Sequence, residues 1–430
     1  MNDLMQECFD ACSNVRKVFL AYNANIDAIL HINKIKKKAA LFSSRARYIT
    51  EISEPGDLFS GIMYAMKNGE GIEIGMHEGI EKWLKKNIRP EKKRMGGQTG
   101  IMANHLALLG IRPLVYTPLL SEEQIKFFRS SVVFVQKKKS EDTKVNWIFE
   151  FNKGDQLGRV TAKLSNRFIA SSRRDDFRMK PVNLDFHFDS AILSGFQSVK
   201  REYRDGTTYK DLFEVGKNVA KRIKEMGRNL HYELSYTPDR KINKCLLDLA
   251  VLSDSVGMDE EDLINALKTL GKGSLAEKLH RSHDIKYILQ GITFLSSHCG
   301  AKIHLHGRGY YLAASRDYHI KPEYIKKSME FASAVAATYA QQIVRSREDL
   351  EKGIKIGHSG IGENKKKEIG ELLSAQASET REGIFKRKGY DIICVPFRAA
   401  KKVVDVVGLG DIISSSIFAC ETGFALKSRQ

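Results

Sequence analysis

Short apolar runs alternate with longer segments of helical periodicity along almost the whole chain. Val18-Phe19-Leu20-Ala21-Tyr22 has the pattern of a buried strand and ends in the polar stretch Asn23-Ala24-Asn25. Ile101, Leu106 and Leu109 recur at helical spacing within 100–110, and Leu114-Val115-Tyr116 reads as the next strand. Ala191-Ile192-Leu193 stops at Ser194-Gly195, an amphipathic helix over 210–227 leads into a strand at 229–234, and 254–258 is a further strand followed by an acidic helix start. This rhythm predicts a doubly wound, mostly parallel α/β sheet with helices on both faces. Ligands in such sheets bind beyond the carboxyl ends of the strands. That rule draws attention to Asn25, Asp27, Gly195, Glu233 and the acidic run from Asp259.

Two regions break the rhythm. Residues 28–95 and 135–180 carry more charge and shorter apolar runs. Trp147-Ile148-Phe149-Glu150-Phe151 and Arg167-Phe168-Ile169-Ala170 alternate like strands with one exposed face. They predict a smaller, discontinuous, β-containing lid, with the large domain formed mainly by 1–27, 96–134 and 181–430.

Composition narrows the class. With 42% hydrophobic and 28% charged residues the 430-residue chain is globular, and eight prolines exclude a proline-rich repeat. No run approaches eighteen uncharged apolar residues, so no membrane span is expected. The acidic first ten residues lack an apolar core, so no signal peptide and a cytoplasmic location are expected. Seventy Lys and Arg against 52 Asp and Glu leave a net charge of +18, which favours anionic partners. The basic runs at 34–38, 92–94, 137–139 and 365–367 are short and mostly flanked by acids, which is the distribution of a solvated lysine-rich surface. A basic nucleic-acid-binding protein is the rival class, but the chain has no recognisable nucleic-acid module, and no nucleic-acid partner is expected. The six cysteines show no zinc spacing and are expected to be reduced and mostly buried.

The strongest local signal is Val403-Val404-Asp405-Val406-Val407-Gly408-Leu409-Gly410-Asp411, an apolar strand running into Gly-x-Gly-Asp and then a helix. Glycines there let backbone N–H groups approach a phosphate, and the helix N-terminus adds its positive end. Asp411 could cap the helix or take a proton from an attacking hydroxyl. A second set, Asn25-Ile26-Asp27 with Gly96-Gly97-Gln98-Thr99-Gly100, offers a carboxylate and carboxamides to sugar hydroxyls beside glycines that admit a ligand.

Taken in order, Asn-x-Asp, Gly-Gly and Gly-x-Gly-Asp resemble the ribokinase superfamily of sugar kinases. Residues 21–29, 96–104 and 407–411, with His231-Tyr232-Glu233 and the segment 254–260, resemble the archaeal ADP-dependent phosphofructokinases and glucokinases, from about residue 18 to residue 424. The resemblance implies a ribokinase-like domain with a lid that closes over the sugar. It implies transfer of the β-phosphoryl group of MgADP to fructose 6-phosphate, leaving AMP, with glucose as a secondary acceptor and glucokinase as the alternative activity. Asp411 would be the base, and Gly408, Leu409 and Gly410 would hold the phosphate. Arg398, in Val395-Pro396-Phe397-Arg398, would lie at the adenine, with the stretches around His306 and Tyr310 as further candidates. Asn25, Asp27, Gly96, Gly97 and Gln98 would bind sugar. Lys144 and Arg173 match positions that bind the 6-phosphate, and Glu73 matches the glutamate of glucose-using relatives. Glu233, Asp262 and Asp411 would face Mg²⁺ or another divalent cation. The chain departs from the family pattern at Asp259-Glu260-Glu261-Asp262, whose last carboxylate is one methylene shorter than in Asn-x-x-Glu, and at Ser414-Ser415-Ser416, where relatives often have Ala-Gly.

Overall fold

The computed structural model describes residues 3–42, 45–173, 176–374, 378–400, 403 and 407–428. An eleven-stranded sheet forms the larger part. Seven of its strands are parallel, in the order Lys302–His306, Ser255–Asp259, Asn229–Glu233, Ser190–Ser194, Lys17–Tyr22, Arg112–Tyr116 and Val133–Phe134. Four antiparallel strands extend the Lys302–His306 edge: Tyr310–Ser315, Tyr390–Pro396, Ile384–Arg387 and Ser378–Arg381. The strand Lys17–Tyr22 is buried on both faces because its side chains alternate between two cores. Phe19 and Ala21 pack on one side with helices that include Tyr209–Glu225 and Ile285–Cys299. Val18 and Leu20 pack on the other with Asp3–Ser13, Gln98–Leu108 and Leu409–Lys427.

The helix Leu409–Lys427 is long and apolar enough by length and composition to cross a membrane, although Asp411 and Glu421 keep it from being an uncharged run. In the fold 78% of that stretch is buried. It is a core helix, lying against Pro322–Gln341 and Asp3–Ser13. Its neighbour on the sheet is a polar stripe: His231 packs on Phe418, and Lys302 Nζ donates to both carboxylate oxygens of Glu421 at 2.5 Å.

A second, five-stranded sheet has the order Ile72–Gly75, Asn166–Ser171, Val145–Phe151, Asn25–His31 and Lys92–Gly96. Ile26, Ala28, Trp147, Phe149, Phe168 and Ala170 form a core with the helices Pro55–Asn68 and Glu78–Asn87. The opposite face carries Asp27, Arg94, Asn146, Arg167 and Glu73, by strand alternation. The strand Val145–Phe151 is more covered than its alternation predicted, since Ile148 is buried as well as its apolar neighbours. Asn25 and Asp27 open this second sheet, whereas the sequence reading placed them at the end of the first.

The six cysteines are free, and all but Cys245 are buried. Of the apolar run before Gly408, Val404, Asp405 and Val406 lie outside the described residues; Val403 is exposed and belongs to no strand.

The buried Lys302–Glu421 pair, to which Tyr318 also donates at 3.2 Å, yields a stability test. Breaking a buried pair leaves an uncompensated charge, whereas replacing both partners by apolar groups is often neutral. Glu421→Gln is expected to cost about 3–5 kcal/mol in urea unfolding, with Lys302→Met/Glu421→Leu recovering most of the loss.

Candidate active site

The two sheets meet where Asn25 pairs with Gly96 and Asp27 with Arg94. A Cβ on Gly96 would fall 2.0 Å from Asp27 Oδ1, and one on Gly97 (φ 73°) would fall 2.6 Å from the Asn23 carbonyl and 2.7 Å from Asn25 Oδ1. The Cβ side of these glycines is therefore taken by the chain's own Asn25, Asp27 and Asn23. Asn25 Nδ2 donates to Asp27 Oδ1 at 2.7 Å, while Asn25 Oδ1 is buried without a hydrogen-bond partner. Burial pushes the Asp27 carboxyl up to about 6, against the pull of Arg94 and the bond from Asn25; Glu73 pushes in the same direction as burial.

Across the cleft, Glu233 ends the strand Asn229–Glu233. His231 bridges it to the next strand, with Nε2 3.0 Å from Glu233 Oε2 and Nδ1 2.8 Å from Ser255 Oγ. Gly257 clears room for this carboxylate, since a Cβ there would lie 2.3 Å from Glu233 Oε2. Asp262 closes the capping box of the helix Glu260–Thr269: its Oδ2 accepts from Asp259 N and its Oδ1 from Tyr236 N at 2.6 Å. Burial, and then Asp259, raise the Asp262 carboxyl well above the usual range.

The helix Leu409–Lys427 starts from Gly408, whose φ of 79° is a conformation open to glycine. Asp411 lies in the first turn. Desolvation raises its carboxyl well above the usual range, and the Glu233 and Asp27 carboxylates add to the shift. Carboxylates from the first sheet, the second sheet and the C-terminal helix thus share one electrostatic field.

The carboxylates of Glu233, Asp262 and Asp411 border a cavity of 750 Å³ at the carboxyl ends of the parallel strands, whereas Asn25, Asp27, Gly96 and Gly97 are not among its lining residues. Gly408, Leu409, Gly410, Asp411, Glu233, Asp262, Gln98 and Arg398 all line it. Gln98 Nε2 donates to Ser235 Oγ at 2.9 Å and its Oε1 accepts from Gln197 Nε2 at 3.3 Å. Arg398 is anchored by Nη1 on the carbonyls of Ile354 and Ile356 at 2.9 and 2.6 Å. Glu73 is exposed on the polar face of the second sheet, within electrostatic reach of Asp27.

The two cations matched to the 6-phosphate diverge. They flank adjacent strands just beyond the Asn146–Ser171 pair. Lys144 is buried, with Nζ 3.2 Å from Asn23 Oδ1 and 4.6 Å from the Phe177 ring centroid. Arg173 (φ 54°) turns toward Asp142 at 2.8 Å and toward Glu81 and Asp176 at 3.5 Å, and it lines a separate cavity of 560 Å³ with Lys200 and Arg204.

Sequence reasoning gave no role to Arg167 and Gln197, which line the main cavity, and looked for His306 only at the adenine. Arg167 was within reach of the pattern, since period 2 puts it on the face opposite Phe168. Gln197 follows the strand-end Gly195 in a short 3-10 turn, and His306 ends a parallel strand; both positions follow from the strand-end rule.

The cavity joins an electropositive helix start, a desolvated carboxylate beside it and a polar wall from a second sheet. That arrangement can hold an anion and remove a proton from a hydroxyl next to it. The whole fold has counterparts among solved structures. It superposes on the last common ancestor of ADP-dependent phosphofructokinases from Methanosarcinales with a TM-score of 0.85 at 30% identity, covering 98% of this chain and 97% of that one. An ADP-dependent kinase in complex with fructose 6-phosphate and ADPβS gives a TM-score of 0.84, also at 30% identity and over 98% and 97% of the two chains. The large domain is accordingly ribokinase-like. Similar sequences include an ADP-specific phosphofructokinase of Methanosarcina acetivorans (29% identity, 93% of this chain and 92% of the relative) and an ADP-dependent glucose/glucosamine kinase of Pyrococcus furiosus (28%, 98% of each). Residues 16–420 match the ADP-specific phosphofructokinase/glucokinase conserved region, and the chain belongs to that family.

Proposed function

We propose that the protein is an ADP-dependent 6-phosphofructokinase with secondary glucokinase activity. The observation that carries this reading is the placement of Asp411, beside the Gly408–Gly410 turn and within the electrostatic field of both Glu233 and Asp27, in a family whose relatives carry both activities. The sugar hydroxyl attacks the β-phosphorus of ADP, the bond to the α–β bridging oxygen breaks, and AMP leaves. Asp411 takes the hydroxyl proton, while the backbone of 408–410 faces the phosphoryl oxygens. Asp27, Asn25 and Gln98 hold the sugar.

The carboxylate set fits a hard divalent cation such as Mg²⁺, because burial and the Glu233 and Asp27 carboxylates raise the Asp411 carboxyl in a cleft that an added cation would relieve. Among the described residues no three His, Cys, Asp or Glu side chains converge to hold an ion by themselves, so phosphate oxygens and water would complete its shell. Glu233 would hold it first, through the oxygen that His231 leaves open, with Asp262 at the cavity wall. When bound, the ion neutralises phosphate charge.

A coupled assay crossing ADP and ATP with fructose 6-phosphate and glucose tests the reading; ADP with fructose 6-phosphate is the pair expected to turn over fastest. Asp411→Asn should fold and lose several orders of magnitude in kcat. Asp411 must lose its proton to act and its carboxyl is held high without an ion, so the acid limb of kcat/KM should move to lower pH as magnesium is raised. More than about a tenth of parental turnover in this variant would return Asp411 to the role of a helix cap.

Glu233→Ala is expected to raise the magnesium requirement, read as a rightward shift of the activity titration. An unchanged magnesium curve would remove Glu233 from the ion.

Acceptor choice separates two residues. Arg173→Ala should lower kcat/KM for fructose 6-phosphate about ten- to a hundredfold and spare glucose, the size expected for one charge-assisted contact. Glu73→Ala should do the reverse. Equal losses on both sugars would leave a general ADP-dependent sugar kinase.

A further inference from the structure

A second cavity, of 430 Å³, lies beside the start of the helix Leu409–Lys427 and away from the carboxylates of the main one. Its walls come from both parts of the fold. The strand Lys92–Gly96 of the smaller sheet supplies one side, and the helix Gln98–Leu108, the loop at 127–129 and the chain leaving the helix Pro322–Gln341 supply the other. Four cations line it, Lys92, Lys93, Arg94 and Arg129, and no acidic side chain does so among the described residues. Two of these cations reach acids outside the lining: Lys93 Nζ lies 2.9 Å from Glu123, and Arg94 Nε lies 3.9 Å from Asp27. Arg129 is held in place by Asn104, whose Oδ1 accepts from the Arg129 backbone N–H at 2.8 Å while its Nδ2 donates to the Phe127 carbonyl at 2.8 Å. Its own Nη2 donates to the Arg345 carbonyl at 3.2 Å. His105 Nδ1 lies 3.2 Å from the Tyr339 hydroxyl. Burial, and then the Arg129 charge, push the His105 imidazole down to about 3, so this pair is polar without being charged. Much of the remaining wall is apolar, with Met95, Ile101, Phe127, Leu409 and Ile412 inside and the exposed Ile343 at the rim.

We propose that this cavity is an effector site for an organic polyphosphate, with the phosphates at the four cations and the apolar or aromatic body against Phe127 and Ile343, and that its occupant weakens sugar binding. Like charges gathered in one concavity focus a positive potential that a polyanion relieves. An apolar wall with a few convergent polar groups is the make-up of a small-molecule site. A bare inorganic anion would leave the apolar half uncovered, and a purely apolar molecule would leave the cations unanswered. Arg94 connects the site to the acceptor, because it lines this cavity and also pulls on the Asp27 carboxyl. An anion beside Arg94 offsets that pull, and Asp27 then becomes a poorer partner for a sugar hydroxyl. This coupling rests on reading Asp27 as a sugar ligand; the binding site itself does not.

The test uses ATP and inorganic tripolyphosphate as probes, the first with an aromatic body and the second without. Calorimetric titrations are run in magnesium buffer on the parent, Arg129→Glu and Ile343→Ser, at saturating ADP, which fills the catalytic cavity and is not consumed without sugar. ATP is expected to bind the parent at one site, about tenfold more tightly than tripolyphosphate. Arg129→Glu should weaken both probes about ten- to a hundredfold, the size of a lost charge-assisted contact. Ile343→Ser should weaken ATP several-fold and spare tripolyphosphate. In the coupled assay, ATP should raise the KM for fructose 6-phosphate of the parent more than its KM for ADP, and should leave the sugar KM of Arg129→Glu where it stands without ATP. No binding at saturating ADP, binding untouched by Arg129→Glu, or tripolyphosphate as tight as ATP would overturn the site. Binding with an unchanged sugar KM would overturn the coupling. If Arg129→Glu melts early, Lys93→Glu on the exposed end of its strand replaces it, with the same losses expected. A parent that binds ATP in this way yet phosphorylates no sugar would reject the proposed activity and leave the site standing.

Discussion

The architecture turns on a backbone contact that tolerates no side chain. Gly96 and Gly97 lie so close to Asp27, Asn25 and the Asn23 carbonyl that a methyl group at either position would overlap them. The antiparallel pairing of Asn25 with Gly96 is where the chain leaves the large sheet and where it returns toward it. The Asp27 carboxylate is therefore fixed at the seam between the two sheets, and Asn25 Nδ2 sets its orientation. Gly195 belongs to the same seam, since a Cβ there would meet Asn23 Cβ at 2.2 Å. Small residues at this point bring two sheets near enough for one cavity to be walled by both.

Electrostatics gives that cavity its purpose. Burial raises Asp27 and Asp411, and the neighbouring carboxylates raise Asp411 further. Such a cluster is costly when empty of cations and becomes favourable when charge of the opposite sign enters. Cations are available on the polar face of the second sheet, where Arg94 and Arg167 act on Asp27.

Behind the cavity, a polar stripe runs beneath an apolar helix. His231, Ser255, Lys302 and His304 come from adjacent strands on the face that Leu409–Lys427 covers. His304 has both ring nitrogens buried without a partner among the described residues, and burial holds it well below its ordinary pKa, so it remains neutral. The stripe explains why a helix of membrane-like composition carries Glu421 and Ser414, which meet Lys302 and His306 on the sheet; of the other two serines, Ser415 bonds back to the Asp411 carbonyl and Ser416 meets His105 on the helix Gln98–Leu108.

The order of strands and helices was legible in the sequence because parallel strands buried on both faces read as continuous apolar runs and their helices as a 3.6-residue period. Val18 to Tyr22, Ala191 to Leu193 and the Gly-x-Gly-Asp helix start follow from local chemistry alone, and the strand-end rule pointed to Glu233 and Asp27. Tertiary structure decided what local pattern cannot encode. Asn25 and Asp27 opened a second sheet because their partner strand, Lys92–Gly96, lies some seventy residues later in the chain. Lys144 and Arg173, just beyond the ends of neighbouring strands, were sent into different surroundings by Asn23 and Phe177 on one side and Glu81, Asp142 and Asp176 on the other. The pairing of Ser414 with His306, 108 positions apart, has room only because the neighbouring strand carries Gly257. Side-chain direction at such sites is set by which distant groups are close enough to bond, and only the packed fold determines that.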